Sequence, residues 1–277
     1  MYKILIDSCG EFTKEMEADP VFEHVALQLQ VGQWHQMDDA TFDQAEFLKR
    51  VAECPACPKS ACPSPEQYMK QFEGCDEVYI VTLSGNLSGS YNSAKTAVDM
   101  FYETNDTAKI HIFDSCSASI GETLIGLKIH ELAEAGLSFE EVVVKAEEYK
   151  LSLNTYFVLD NLETLRKNGR LSSVKALVAS TLSIKPVMGA TDDGVIIQLG
   201  QKIGMKKALA KLAETVIVEK AQTPGRPLMI SHCNAPGRAA YVKDILEKTG
   251  LFSSIGVLDT AGISSMYAND GGVIIAV

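Results

Sequence analysis

Three short segments gather hydroxyls, glycines and acids directly after apolar runs. Asp7-Ser8-Cys9 follows Ile4–Ile6, the stretch Thr82-Leu83-Ser84-Gly85-Asn86-Leu87-Ser88-Gly89-Ser90 follows Val78–Val81, and Asp114-Ser115-Cys116-Ser117-Ala118-Ser119 follows Ile110–Phe113. If the runs are strands of one open α/β sheet, the segments meet outside its carboxyl edge, where such sheets bind ligands. Helix starts there offer free N–H donors and a partial positive charge, glycine admits a ligand to the backbone, and serine adds a rotatable donor. Residues 82–91 therefore read as a cradle of neutral donors for a carboxylate or a phosphate. The plainer reading is that these residues are caps and turn formers, as Ser, Gly and Asn commonly are.

Machinery for making or breaking bonds is harder to find. No lysine lies within 82–91, which disfavours a nucleoside triphosphate loop, and Gly85-Asn86-Leu87-Ser88-Gly89 places its serine one position late for a nucleophile elbow. Of five histidines, His111 falls in a strand run, His130 in a helical period, and His24 and His35 flank the second apolar run; only His232, just past Ile230-Ser231, sits at a strand end. A small-molecule hydrolase or transferase would have to use Asp7, Asp114 or His232, yet strand-terminal aspartates commonly serve as caps or turn anchors. Cys54-Pro55-Ala56-Cys57, followed by Cys62 and Cys75, has the spacing of a zinc or redox pair, but no second pair completes a tetrahedron. Polar donors without an engine describe a binding protein better than an enzyme, with no catalytic residue, metal or cofactor expected.

The supporting elements alternate in the manner of α/β architecture. Strand runs are Ile4–Ile6, Val25–Val31, Val78–Val81 and Ile110–Phe113 in the first half, with helical periods at 41–53, 65–73, 89–102, 119–135 and 139–153. Thr41 with Gln44, Ser64 with Gln67 after Pro65, and Ser138 with Glu141 have capping-box spacing, and Gly136 suits a helix stop. The second half opens with Phe157-Val158-Leu159 and a short helix from Asp160 to Asn168-Gly169. Strands then follow at Ile184–Val187 and Val195–Leu199, a helix at 205–221, a strand at Leu228–Ser231, a helix at 236–248, and strands at Ile255–Leu258 and Val273–Ala276.

Charge supports a division near residue 155. Of 277 residues with a net charge of −11, residues 1–155 carry 11 basic and 26 acidic side chains, and residues 156–277 carry 14 and 10. The expectation is two α/β domains, 1–155 with a mainly parallel sheet flanked by helices and 156–277 with a mixed sheet and helices. So acidic a first half is a poor partner for nucleic acid, whose binding depends on neutralising phosphates. No run approaches 18 apolar residues, and Met1-Tyr2-Lys3-Ile4-Leu5-Ile6-Asp7 meets an acid too soon for a signal-peptide core, so no membrane span and a cytoplasmic location are expected. Seven cysteines, an odd number, cannot all pair in disulfides.

Several motifs, in order, resemble the DegV family of bacterial fatty-acid-binding proteins. They are Ile4-Leu5-Ile6-Asp7-Ser8; Pro58-Lys59-Ser60-Ala61-Cys62-Pro63-Ser64-Pro65, similar to the family's Pro-Lys-Thr-Ser-x-Pro-Ser; Leu83-Ser84-Gly85-Asn86-Leu87-Ser88-Gly89-Ser90-Tyr91; Asp114-Ser115 with Ser119 and Gly121; and Leu165-Arg166-Lys167-Asn168-Gly169-Arg170-Leu171. The resemblance implies two α/β domains with a long-chain fatty acid, such as hexadecanoate, in the cleft between them. It implies a non-catalytic carrier, expected to be a monomer, that presents the lipid to a fatty acid kinase for phosphorylation to acyl phosphate. Carried over motif by motif, the carboxylate falls to the hydroxyls of Ser60 and Ser88, with Ser84, Gly89, Arg170 and Tyr267 beside them. Two positions depart from the family's pattern: Tyr267 stands where its closing motif has histidine, and Ile203, after Lys202 and before Lys206 and Lys207, stands where it has arginine. A tyrosine can donate one hydrogen bond but does not become a cation.

Overall fold

The computed structural model describes residues 1–104, 107–171 and 183–277. Its first sheet is fully parallel, with β1 (Tyr2–Asp7) between β2 (Phe22–Val25) and β6 (Glu77–Thr82), and β7 (Lys109–Asp114) at the far edge. Strands buried on both faces need apolar residues in both registers. Accordingly Ile4 and Ile6 of β1 pack with Ile125, Ile129 and Val142 of α5 (Ile120–Glu134) and α6 (Phe139–Leu151). Leu5, pointing the other way, packs with Tyr68 of α3 (Pro65–Met69) and Ala94 and Ala97 of α4 (Ser90–Tyr102).

The second sheet has six strands in the order β10 (Ile196–Ile203), β9 (Ile184–Ala190), β8 (Thr155–Val158), β13 (Val273–Ala276), β11 (Pro227–His232) and β12 (Ser254–Asp259). It is mixed: only β11 and β12 run parallel. Alternation along β8 divides its two faces. Tyr156 and Val158 join a core with Leu209, Leu212 and Val216 of α8 (Met205–Lys220) and Val242 and Leu246 of α9 (Pro236–Glu247). Phe157 and Leu159 face the first half of the chain. There the sheet is covered in part by α5, whose Ile120 and Leu124 pack on Met229 and Ala276.

The α/β class, the parallel first sheet and the mixed second one are as expected, but a third sheet is not. The run Val25–Val31 is two strands: Val25 ends β2 opposite Asp7, the Ser8 hydroxyl accepts from the Leu27 amide at 3.0 Å, and the chain turns away into β3 (Gln28–Val31). β3 pairs antiparallel with β4 (Trp34–Met37) and β5 (Lys59–Ala61), neither of which was expected. The helix expected from Thr41 starts later, as α2 (Gln44–Glu53), because Thr41 donates to Asp39 at 2.6 Å in a local turn while Asp43 accepts from the Glu46 amide at 3.0 Å. The helix expected from Asp160 is α7 (Glu163–Lys167); Asp160 instead pairs with Lys185 at 3.0 Å and with Arg238. The box at Ser138 forms, Glu141 accepting from the Ser138 amide at 2.9 Å, and Gly136 ends α5 with a φ of +79°. Two further helices, α1 (Lys14–Ala18) and α10 (Gly262–Ala268), had no counterpart among the expected elements.

The turn joining β9 to β10 touches the first half closely. Gly194 has a φ of +78°, and a Cβ there would lie 2.3 Å from Ser84 Oγ and 2.7 Å from the Cys116 backbone. Gly194→Ala combines left-handed strain with a backbone clash, so it should lower the unfolding free energy by about 2–4 kcal/mol, read by denaturant titration.

Candidate functional site

The loops after β1, β6 and β7 do meet at the carboxyl edge of the first sheet, and the two strand-end aspartates hold them. Asp7 is wholly buried and accepts from the amides of Cys9 at 3.1 Å and Leu83 at 2.9 Å. Asp114 accepts from Gly85 at 3.0 Å and Cys116 at 3.1 Å, an approach so close that a Cβ on Gly85 would sit 2.8 Å from Asp114 Oδ2. Each aspartate thus ties down two backbone amides of these loops. His232 lies beside Asp259 at 3.0 Å and next to the Ala235 amide.

Between these loops and the uncovered part of the second sheet lies a cavity of about 730 Å³ of atom-free space, partly continuous with solvent. Leu83, Leu87 and Ala118 line it from the first half, Phe157, Leu159, Ile196 and Ile274 from the second sheet, and Ile263 and Ala268 from α10. Thr155 to Leu159, β8 and the residue after it, gives about 13 Å of wall. Serines and a threonine also line it, yet they spend their hydroxyls on protein partners. Ser117 bonds Thr155 at 2.5 Å, Ser119 donates to Glu11 at 2.7 Å, and Ser264 donates to the Cys9 carbonyl at 3.0 Å. What remains facing the space is carbon.

The lining turns polar where three segments converge. Tyr267 of α10 lines the cavity, and its hydroxyl lies 3.2 Å from Ser60 Oγ on β5. Arg170 lines it too, donating from Nε to the Leu87 carbonyl at 3.0 Å, with its guanidinium 5.8 Å from the centre of the Tyr267 ring. Ser88 Oγ accepts from the Ser90 amide at 3.1 Å at the start of α4, where Gly89 is the cap residue. Cys62 Sγ would lie 3.0 Å from a Cβ on Gly89, and Ser93 Oγ donates to the Pro63 carbonyl at 2.5 Å, so the segments carrying Ser60 and Ser88 adjoin. Ser84 is buried and donates to the Gly194 carbonyl at 3.2 Å, tying the two halves together. Burial pushes the Tyr267 phenol up, so it is neutral at physiological pH and stays a hydrogen-bond donor.

Sequence reading missed the α10 residues of the wall, Ile263, Ser264 and Ala268, because that helix itself was not expected. The period-2 alternation of Thr155, Phe157 and Leu159 was a signal that could have placed that part of the wall. The four cysteines of the spacing motif separate: Cys57 accepts from Asn168, Cys62 lies at Gly89, Cys54 at Gly32, and Cys75 is buried near Gln71. Among the described residues no three His, Cys, Asp or Glu side chains converge on a metal position. Nor is any described helix long and apolar enough to cross a membrane.

The chain is thus an α/β protein with a carbon-walled cleft between two sheets, the Tyr267 phenol and the Arg170 guanidinium in its lining and Ser60 against Tyr267; Ser84, Ser88 and Gly89 are not among the residues that line it. The family profile described as "Uncharacterised protein, DegV family" matches residues 1–276, and the chain belongs to the DegV family. A DegV domain-containing protein of Streptococcus gordonii is 34% identical over 275 residues, covering 99% of this chain and 97% of that protein. A DegV family crystal structure from Ruminococcus gnavus, described with vaccenic acid, is 48% identical with a TM-score of 0.96, covering 100% of this chain and 99% of that one. The Streptococcus pneumoniae Fatty Acid Kinase (Fak) B3 protein, loaded with linoleic acid, is 31% identical with a TM-score of 0.91, covering 100% and 98%. A DegV family protein from Eubacterium eligens loaded with heptadecanoic acid is 27% identical, with a TM-score of 0.90 and coverage of 100% and 99%.

Behind the wall, Glu11 is buried with one carboxyl oxygen lacking a partner, and burial pushes its carboxyl up to about 7. A carboxyl that holds its proton more tightly when folded adds stability at low pH, and that contribution is lost as pH rises from its unfolded value through the folded one. Unfolding free energy should therefore decline between about pH 4.5 and pH 7. Glu11→Gln should flatten that slope, as measured by urea titrations across the range.

Proposed function

We propose that this chain is a fatty acid carrier: it buries the tail of one long-chain fatty acid in the cavity and holds the carboxylate among Ser60, Tyr267, Ser88, Gly89 and Arg170. It then presents the acid to a fatty acid kinase, which converts it to acyl phosphate. The observation that carries this reading is the continuity of a carbon-walled cavity with the Tyr267–Ser60 pair. The wall suits polymethylene, whose transfer from water contributes about 0.8 kcal/mol per CH₂. A carboxylate taken out of water needs donors to offset its desolvation, and hydroxyls, a guanidinium and the amides starting α4 are of the right kind. These donors fix which end of the lipid lies at the opening while leaving the carboxylate open to later phosphorylation.

The fatty acids in the R. gnavus, S. pneumoniae and E. eligens structures support the ligand class, and the name of the S. pneumoniae protein supports the kinase as partner. A carrier of this kind works without a resident metal or redox cofactor and in the cytoplasm, where a kinase has its ATP. A hydrolase built on Asp7, Asp114 or His232 is the weaker reading, since Asp7 and Asp114 hold loop amides and His232 lies beside Asp259.

Native mass spectrometry of the protein purified from producing cells should show one fatty acid per chain. Protein that carries none, and takes up none from added hexadecanoic acid, would overturn the assignment. Each shortening of the ligand by two methylenes should weaken binding by about 1.6 kcal/mol, roughly 15-fold. Ser60→Ala and Ser88→Ala should each weaken hexadecanoate binding by about 1–3 kcal/mol through an unpaired carboxylate oxygen, and unchanged affinity in both variants removes those two serines from the site.

A further inference from the structure

α10 forms the polar end of the cavity and part of its wall, but its own sequence gives it little reason to exist. It has seven residues, and the preceding Ala261 offers no side chain to cap it. A helix so short is not stable alone, and its first amides need acceptors. The acceptor comes from the other end of the chain. Asp38 is buried; its Oδ1 accepts from the Gly262 amide at 2.7 Å and its Oδ2 from the Ile263 amide at 2.8 Å. The contact is so close that a Cβ on Gly262 would lie 2.5 Å from Asp38 Oδ1 and 2.6 Å from Leu29 Cδ1. Gln44, at the start of α2, adds a second tether from Nε2 to the Thr260 carbonyl at 2.9 Å and Ser265 Oγ at 3.2 Å.

The same residue is fixed to the sheet that carries Ser60. The Asp38 amide donates to the Leu27 carbonyl at 2.9 Å, just before β3, and Leu29 of β3 is the cross-strand partner of Ser60 on β5. Asp38 thus joins the small sheet to α10 at one end of the helix. Tyr267 meets Ser60 about 7.5 Å further along the helix axis. We propose that Asp38 is a positioning residue for ligand binding: by capping α10 from the small sheet, it sets the Tyr267 hydroxyl against Ser60 and so fixes the pair that grips the lipid carboxylate. Charged acceptors make stronger bonds than neutral ones, and an anion at a helix start is further favoured by the dipole. In Asp38→Asn one oxygen still accepts, but the NH₂ group opposes the second amide, donor against donor.

The inference rests on the fatty acid reading, and the test separates the two. Full-length wild-type protein and variants are titrated with hexadecanoic acid and with hexadecan-1-ol, which shares the tail but lacks the carboxylate. Asp38→Asn should weaken the acid about tenfold and the alcohol less than about twofold, since the lost interaction is at the head group. In a Tyr267→Phe background, Asp38→Asn should weaken the acid by less than about twofold more, because both changes act on one contact. Equal losses for acid and alcohol, or full additivity with Tyr267→Phe, would show Asp38 to be structural only and overturn the proposal while leaving the carrier function standing. If wild-type protein binds neither probe, the carrier reading itself fails. Gly262→Ala crowds the same contact from the helix side and should reproduce the selective loss; should Asp38→Asn not fold, a folded Gly262→Ala with unchanged acid-to-alcohol selectivity overturns the proposal on its own.

Discussion

The arrangement depends on one constraint: the six-stranded sheet has two apolar faces, and among the described residues its long helices, α8 and α9, lie on only one of them. Leu209, Leu212 and Val216 of α8, with Val242 and Leu246 of α9, pack on the Tyr156–Val158 face. The other face is covered by the short α7 and α10 and by segments of the first half. α5 covers the part around Met229 and Ala276; the loops after β6 and β7 and the α10 segment stand over the rest without filling it. An apolar surface left unfilled is where a hydrocarbon gains most from burial. On this view the cleft is the residue of an incomplete packing problem, one that the proposed lipid tail would complete.

The polar elements around the cleft sort by what they are bonded to. Asp7 and Asp114 accept from backbone amides of the loops and fix their shape. Ser117, Ser119 and Ser264 line the space but spend their hydroxyls on Thr155, Glu11 and the Cys9 carbonyl, which keeps the wall apolar despite its composition. Among the described residues, Tyr267 and Arg170 bring donors to the cavity itself, with Ser60 against the Tyr267 hydroxyl. The geometry thereby separates affinity, supplied by the carbon wall, from orientation, supplied by a few donors at one end. Replacing a basic imidazole by a phenol at 267 keeps a donor there and leaves Arg170 as the cation beside it.

Much of this was legible in the sequence. The runs Ile4–Ile6, Val78–Val81 and Ile110–Phe113 specify buried parallel strands because both registers are apolar, and the segments behind them had to meet at one edge. Ser138 with Glu141 and the turn at Gly136 act through contacts a few residues apart, which is why they could be read directly. The family motifs added Ser60, Ser88 and Arg170 as candidates, and the structure puts the Ser60 and Ser88 segments side by side and Arg170 on the cavity.

Other features became determinate only when distant segments met. The apolar run Val25–Val31 carries no local break; it divides because the Ser8 hydroxyl and Asp38 amide hold Leu27 at a corner. α10 has no cap in its own sequence, since its acceptor, Asp38, lies more than two hundred residues earlier and depends on the small sheet to be in place. The apolar wall is likewise a tertiary outcome, because a serine counts as polar in the sequence until the fold gives its hydroxyl a partner. Local hydrogen bonds and side-chain periodicity are written in consecutive residues; which face of a sheet goes uncovered, and which carboxylate caps a remote helix, depends on the assembled chain.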